Sequence, residues 1–133
     1  MSNCIFCKIA NHEIPGKIIY EDDKCIAFLD LSQVTNGHTL VIPKTHAANF
    51  LEVDDEVLTH MTLVTKALAN KIKDALQASG INILTNAGEI AGQTVMHFHF
   101  HIIPRFNEND GFIVNFEKRL DDIDLDDLLN KLK

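Results

Sequence analysis

Between Met96 and Pro104 the chain reads Met-His-Phe-His-Phe-His-Ile-Ile-Pro, and this alternation constrains the fold more than any other stretch. Successive side chains of a strand point to opposite faces. A strand here sends Phe98, Phe100 and Ile102 into a core and sets His97, His99 and His101 on the other face, roughly 7 Å apart. A lone histidine in a strand is ordinarily a hydrogen-bonded structural residue. Three in register are not explained by packing, because imidazole has only an intermediate preference for burial. The stretch marks a site as well as a strand.

The 133 residues suit a single domain with one core. Cys4 to Ala10 reads as one or two helical turns, and Asn11 to Gly16 as a loop punctuated by Pro15-Gly16. Lys17–Glu21 and Lys24–Leu29 read as two strands joined at Asp22-Asp23, hence a hairpin. Asp30 to Gly37 is rich in turn formers, and His38–Pro43 is a third strand. A long helix follows, with Asp54 as N-cap and Val53 and Leu58 placed as a hydrophobic staple. Val57, Met61, Val64, Leu68, Ile72 and Leu76 form its apolar face. Gly80 is expected to stop it, and His60 is expected on its surface. Ile81–Asn86 is a fourth strand, and Ala87 to Thr94 a loop leading into the histidine strand. In the tail, Asp110-Gly111 signals a turn, and Leu120, Ile123, Leu125, Leu128, Leu129 and Leu132 predict an acidic amphipathic helix whose apolar side covers this chain or a partner. Cys25 alternates within its strand and reads as core. The pattern is an α+β fold with a mostly antiparallel sheet.

A formal charge of −7 argues against a surface built for nucleic-acid backbones, yet leaves room for a small nucleotide held by backbone amides. No apolar run reaches the ~20 residues that span a bilayer. The first residues lack the basic and apolar regions of a signal peptide. The three cysteines do not look like a disulfide framework, so a reducing cytoplasm is expected.

Clustered histidines raise the question of metal. Two at i and i+2 can share an ion, but three in a row must converge on bonds of about 2.0–2.1 Å, and catalysis is the more natural reading. Neutral imidazole is a competent nucleophile and base near pH 7, its ordinary pKa being ~6.5. It works best with one nitrogen fixed by a hydrogen bond and the other facing the substrate. The loop from Gly88 to Thr94 can aim backbone N–H groups and the Thr94 hydroxyl at an anion. Cys4-x-x-Cys7 has three readings: half a zinc site, a redox pair, or two packed thiols. A redox pair normally follows a strand in a βαβ unit, which is absent here, and zinc needs two further ligands.

The run His97-x-His99-x-His101-Ile102-Ile103 resembles the histidine triad motif, His-φ-His-φ-His-φ-φ with φ apolar. Gly37 through His46 resembles the second block of that family, and Asn86 through Thr94 its phosphate loop. Phe6, Ile14-Pro15, Phe28 and Asp30-Leu31-Ser32 resemble its nucleoside-binding segments. The resemblance runs from Cys4 to about Pro104 and is nearest to the Hint-like branch, Asn86 standing where the Fhit-like branch tends to carry glutamine. It implies a single HIT-like domain over 1–133, with a core of about 4–104, an extension of about 105–133, and a five-stranded sheet with one long helix and a C-terminal helix.

The resemblance implies cleavage of purine nucleoside phosphoramidates or related nucleotides at the α-phosphate. His99 is then the nucleophile. His101 contacts phosphate and handles the proton, His38 stands behind it, and His97 supports the array. Asn86 and Thr94 contact phosphate, Gln93 shapes the loop, Asp30 accepts from the ribose hydroxyls beside Ser32, and Phe6, Ile14, Phe28 and Leu31 enclose the base. Some bacterial-type members pair the CxxC with two histidines that correspond to His46 and His97, which implies a structural Cys4, Cys7, His46, His97 zinc site and no organic cofactor. Members are typically homodimers joined into a ten-stranded sheet; neither nucleic acid nor membrane is an expected partner. Rival readings are a dinucleoside polyphosphate hydrolase, a purine-nucleotide-binding interaction protein with incidental catalysis, and a zinc-binding or storage module.

Overall fold

The computed structural model describes residues 3–119 and 121–133. Its first helix, α1 (Ile5–Ala10), is capped by Cys4, whose sulfur accepts the Cys7 N–H. Strands β1 (Ile18–Glu21) and β2 (Cys25–Leu29) form the expected antiparallel hairpin. Asp22 fixes its turn: one carboxylate oxygen accepts the N–H of Lys24 at 2.8 Å and of Cys25 at 2.9 Å, the local bonding that favours Asp in turns. β3 (Thr39–Pro43) is buried throughout. The long helix α2 (Asp55–Leu76) starts where Asp54 accepts the N–H groups of Glu56 and Val57. Then come β4 (Gly80–Leu84), a single 3₁₀ turn at Glu89–Ala91, β5 (Phe100–Arg105) and α3 (Leu125–Leu132).

The sheet order is β1-β2-β3-β5-β4, with every neighbouring pair antiparallel. Its two faces carry separate cores. Cys25, Ala27, Val41, Phe98, Phe100 and Ile102 meet Met61, Val64, Leu68 and Ile72 of α2. On the opposite face Ile26, Phe28, Leu40 and Ile42 meet Phe6, Ile9 and Ala10 of α1. Covering both faces explains why β2 and β3 are almost continuously buried rather than alternating. β5 is thereby held between β3 and β4, with its even-numbered side chains under α2 and His101 on the side of α1. No helix among the described residues is long and apolar enough to cross a membrane.

Four expectations need correction. The histidine strand pairs in the sheet only from Phe100; before it the Phe98 N–H donates to the Ala47 carbonyl at 2.7 Å, and His97 faces Cys4, Cys7 and His46. Phe98 still reaches the α2 core, so the alternation of faces survives the loss of pairing. The α2 stop is Gln77 in the left-handed region at φ 57°, and Gly80 instead opens β4. His60 is not a free surface residue: its Nε2 lies 2.6 Å from the Asp22 carboxylate. The tail helix is only Leu125–Leu132, capped by Asp124. Ile123 precedes it, Leu120 lies outside the described residues, and its leucines face solvent.

Candidate active site and metal centre

His38 arrives at the site through a tight turn. Gly37 takes φ +95°, and a Cβ there would come within 2.5 Å of Leu76, so only glycine fits. Gln33 staples the loop: its amide nitrogen donates to the carbonyls of Asp30 (2.6 Å) and His38 (2.7 Å), and its oxygen accepts from the N–H of Gly37 (2.7 Å) and His38 (3.1 Å). Across the strands Leu40 pairs with His101, which brings His38 Nε2 to 2.9 Å from His101 Nδ1. His38 Nδ1 accepts the Val34 N–H at 3.4 Å. The tautomer that satisfies both contacts puts the His38 proton on Nε2, donated to His101, and leaves the His101 proton on its outer nitrogen.

His99 is fixed in the complementary sense. Its Nδ1 sits 2.7 Å from the His97 carbonyl. A carbonyl only accepts, so Nδ1 carries the proton and Nε2 keeps its lone pair. The His99 and His101 rings are 4.8 Å apart. Burial pushes the pKa of His38, His99 and His101 below the ordinary histidine value, His101 to about 4 with neighbouring His99 and His38 adding to the effect. Near neutrality all three are uncharged, the state in which imidazole is both nucleophile and N–H donor.

The His99 and His101 rings stand in a cleft of about 350 Å³, with His38 behind His101. Phe6, Phe28, Asp30, Leu31, Ser32 and Thr94 line it. Leu31 is 89% exposed on its rim. Asp30 accepts the Ser32 N–H at 2.8 Å, and its other oxygen lies 3.7 Å from His38 Nε2. Ile14 is not in the cleft; it packs behind the wall on the α1 core. Gln93 is spent on the loop, accepting from the Gly88 N–H and donating to the carbonyls of Ala48 and Val95. Asn86 does not line the cleft either and braces Gly92 from behind. The sequence reading missed Ile9, Lys17 and Val95 in the wall, and Gln33 behind it. Glutamine in a turn-rich loop carries no local signal of that role. A larger groove of about 480 Å³ runs between α2 and β4, but it holds no histidine, cysteine or carboxylate, so the chemistry belongs to the smaller cleft.

Cys4, Cys7, His46 and His97 form a second cluster, their donor atoms all within 4.8 Å of one another. His97 Nδ1 is 3.2 Å from Cys4 Sγ, 3.4 Å from Cys7 Sγ and 3.2 Å from His46 Nδ1, and Cys7 Sγ is 3.3 Å from His46 Nδ1. A tetrahedral ion with bonds of about 2.3 Å to sulfur and about 2.0–2.1 Å to nitrogen sets its ligands roughly 3.3–3.8 Å apart, so the cluster fits one. His97 Nε2 lies 2.9 Å from the Pro43 carbonyl, which puts its proton there and turns the Nδ1 lone pair into the cluster, the outer contact that metal-ligating histidines make. By contrast Asp22, Cys25 and His60 are also near one another, but Asp22 is already engaged by Tyr20, His60 and two backbone N–H groups.

A small α+β domain that lays neutral histidines along its central strands, with one imidazole nitrogen free in a cleft, defines a histidine-triad protein. The model of the HIT domain matches residues 11–108, and the chain belongs to the HIT family. A HIT family protein from Bacillus subtilis, solved by crystallography, is 48% identical, with a TM-score of 0.90 over 97% of this chain and 92% of its own. Adenosine 5'-monophosphoramidase of Saccharomyces cerevisiae is 41% identical over 91% of this chain and 74% of its own length. A Zn-bound histidine triad family protein from Mycobacterium smegmatis is 37% identical, with a TM-score of 0.78, covering 90% of this chain and 85% of its own.

Proposed function

We propose that this protein hydrolyses nucleoside phosphoramidates, with purine nucleotides as its substrate class, through a covalent nucleotidyl–His99 intermediate. The observation that carries the reading is the His99 Nδ1 to His97 carbonyl bond of 2.7 Å, which leaves Nε2 as a free lone pair in a cleft. Nε2 attacks the α-phosphorus while the P–N bond to the amine breaks. The bound phosphate anion favours a His101 that has taken up a proton from solvent, and the amine departs with its outer proton, leaving His101 neutral. The positive charge that His99 acquires is shared with the His97 carbonyl through the Nδ1 proton. Water then forms a P–O bond as the P–Nε2 bond breaks. Its proton returns to His101, and a nucleoside monophosphate leaves. Asp30 is a carboxylate suited to ribose hydroxyls, and Thr94 and the 88–94 backbone are suited to phosphate.

Cys4, Cys7, His46 and His97 would hold zinc, which supplies a structural cross-link rather than a reacting group. The fit of their spacing and the bond from His97 to Pro43 support this. Two copies would join along the β4 edge, where Ile83 is 45% exposed beside the α2–β4 groove and edge N–H and C=O groups are open to pairing.

The reading is tested by single-turnover mixing of adenosine phosphoramidate with the protein and with His99→Ala, quenched to trap nucleotidyl-enzyme. An acid-labile adduct and AMP from the unaltered protein only is the expected result. AMP at an equal rate from His99→Ala would overturn it, and bound nucleotide without adduct or AMP would make the protein a nucleotide-binding module.

A further inference from the structure

Phe6 lies one residue from Cys7 and two from Cys4 in sequence, and in space it lies against two of the triad histidines. Its ring is edge-on to His99 at 5.1 Å and 89°, to His97 at 5.9 Å and 73°, and to Phe28 at 5.6 Å and 74°. It is only 7% exposed, so although it forms part of the cleft wall it offers a base little surface. The backbone around it is pinned at both ends by the metal-type cluster: Cys4 caps α1 with the same sulfur that faces His97, and Cys7 faces His46 and His97. His97 is clamped through both ring nitrogens, by the cluster on one side and by Pro43 on the other, and its carbonyl fixes the His99 ring. Two short routes therefore run from the cluster to His99, one through the Phe6 ring and one through the His97 backbone.

We infer that Phe6 is a positioning residue for His99 rather than a wall for the base, and that the Cys4, Cys7, His46, His97 cluster holds it in place and so sets the orientation of the attacking imidazole. This rests on the reading of His99 as nucleophile and deepens it. The physical warrant is steric. The Phe6 ring, perpendicular to His99 at 5.1 Å, and the donated Nδ1 proton together restrict the orientation of the His99 ring. Loosening the first turn of α1 frees the ring to rock about its Cβ, and a misplacement of about 1 Å at a reacting group costs on the order of a hundredfold in rate.

The test uses the full chain, zinc-loaded, with adenosine phosphoramidate, and compares Phe6→Leu, Cys7→Ser and the double variant. The expected result for Phe6→Leu is a fall in kcat of about tenfold to a hundredfold with KM changed by less than about twofold. A base-stacking wall predicts the reverse, a raised KM with kcat kept, and that result would overturn the inference. The double variant is expected to lose no more kcat than the worse single variant, since loosening the cluster already frees the Phe6 ring; losses that multiply would refute the shared route. A readout independent of turnover is the nitrogen-15 spectrum of the histidines. The Nδ1–H signal of His99 is expected to move in the same direction in Phe6→Leu and in the wild-type chain stripped of zinc by a chelator. An unmoved signal in both would sink the proposal, and the chelated wild-type chain serves if Cys7→Ser does not fold. The nucleophile itself is read separately, from the adduct on the wild-type chain: no adduct refutes the parent reading, whereas an adduct with unchanged kcat in Phe6→Leu refutes only this one.

Discussion

Replacing Asp22 by Asn tests the polar hub that ties the β1–β2 hairpin to α2. The Asp22 carboxylate accepts from Tyr20 Oη at 2.7 Å, His60 Nε2 at 2.6 Å, the N–H groups of Lys24 at 2.8 Å and Cys25 at 2.9 Å, and, more weakly, the Cys25 thiol at 3.8 Å. Burial opposes the charge, but these donors outweigh it and hold the carboxyl well below the usual carboxylate range. Asn keeps one acceptor oxygen for the two backbone donors and turns an NH₂ toward Tyr20 and His60. Two charge-assisted bonds are lost at a half-buried site, at a cost of about 2–3 kcal/mol after allowance for solvent, or roughly 10 °C in Tm for a domain of this size. The chain has one tyrosine and no tryptophan, so ultraviolet absorbance reports Tyr20 alone. Its hydroxyl, held protonated chiefly by the bond to Asp22 and then by burial, is pushed up to about 12, and in Asp22→Asn its titration should move back toward 10. The signs of the pH dependence follow. Asp22 has a lowered folded pKa, so its contribution is whole above the unfolded value of about 4 and is lost as pH falls through the folded one. The stability gap between the two proteins should close on acidification. Tyr20 has a raised folded pKa, so its share is whole below about 10 and disappears as pH rises through about 12. A Tyr20 titration that stays near 12 in Asp22→Asn would refute the reasoning.

Two further outcomes are expected. His101→Ala should lower kcat by about a hundredfold to ten-thousandfold on a phosphoramidate whose amine needs a proton to leave, and far less on a nucleotide ester with a phenolate leaving group that needs none; equal losses on both would remove His101 as the proton donor. Ile83→Asp places a charge on the exposed edge of β4 and should shift the mass measured by light scattering from two copies toward one, whereas an unchanged two-copy mass would move the interface elsewhere.

Charge and hydropathy order were enough to read much of this protein from the chain alone. Phe98, Phe100 and Ile102 reach one core and the three histidines avoid it because a period of two is a property of the extended backbone itself. The Asp54 cap and the apolar stripe of α2 are likewise local, written within a few residues of where they act. Resemblance added the partners of the CxxC, which spacing left open. Other features were decided by contacts between distant segments. His97 lies before the paired strand and meets three side chains from distant segments, and the His38–His101 bond exists because β3 and β5 are neighbours. Ile14 sits behind the cleft rather than in it, since its position depends on how the loop before β1 folds onto α1. His60 meets Asp22 across 38 residues, and no periodicity within α2 announces it. The division has a physical cause. Facing and capping follow from backbone geometry over a few residues, and so does the His97 carbonyl that fixes the His99 proton, whereas the Phe6 ring 5.1 Å from His99 and the histidines beside it are brought there only by the closed fold.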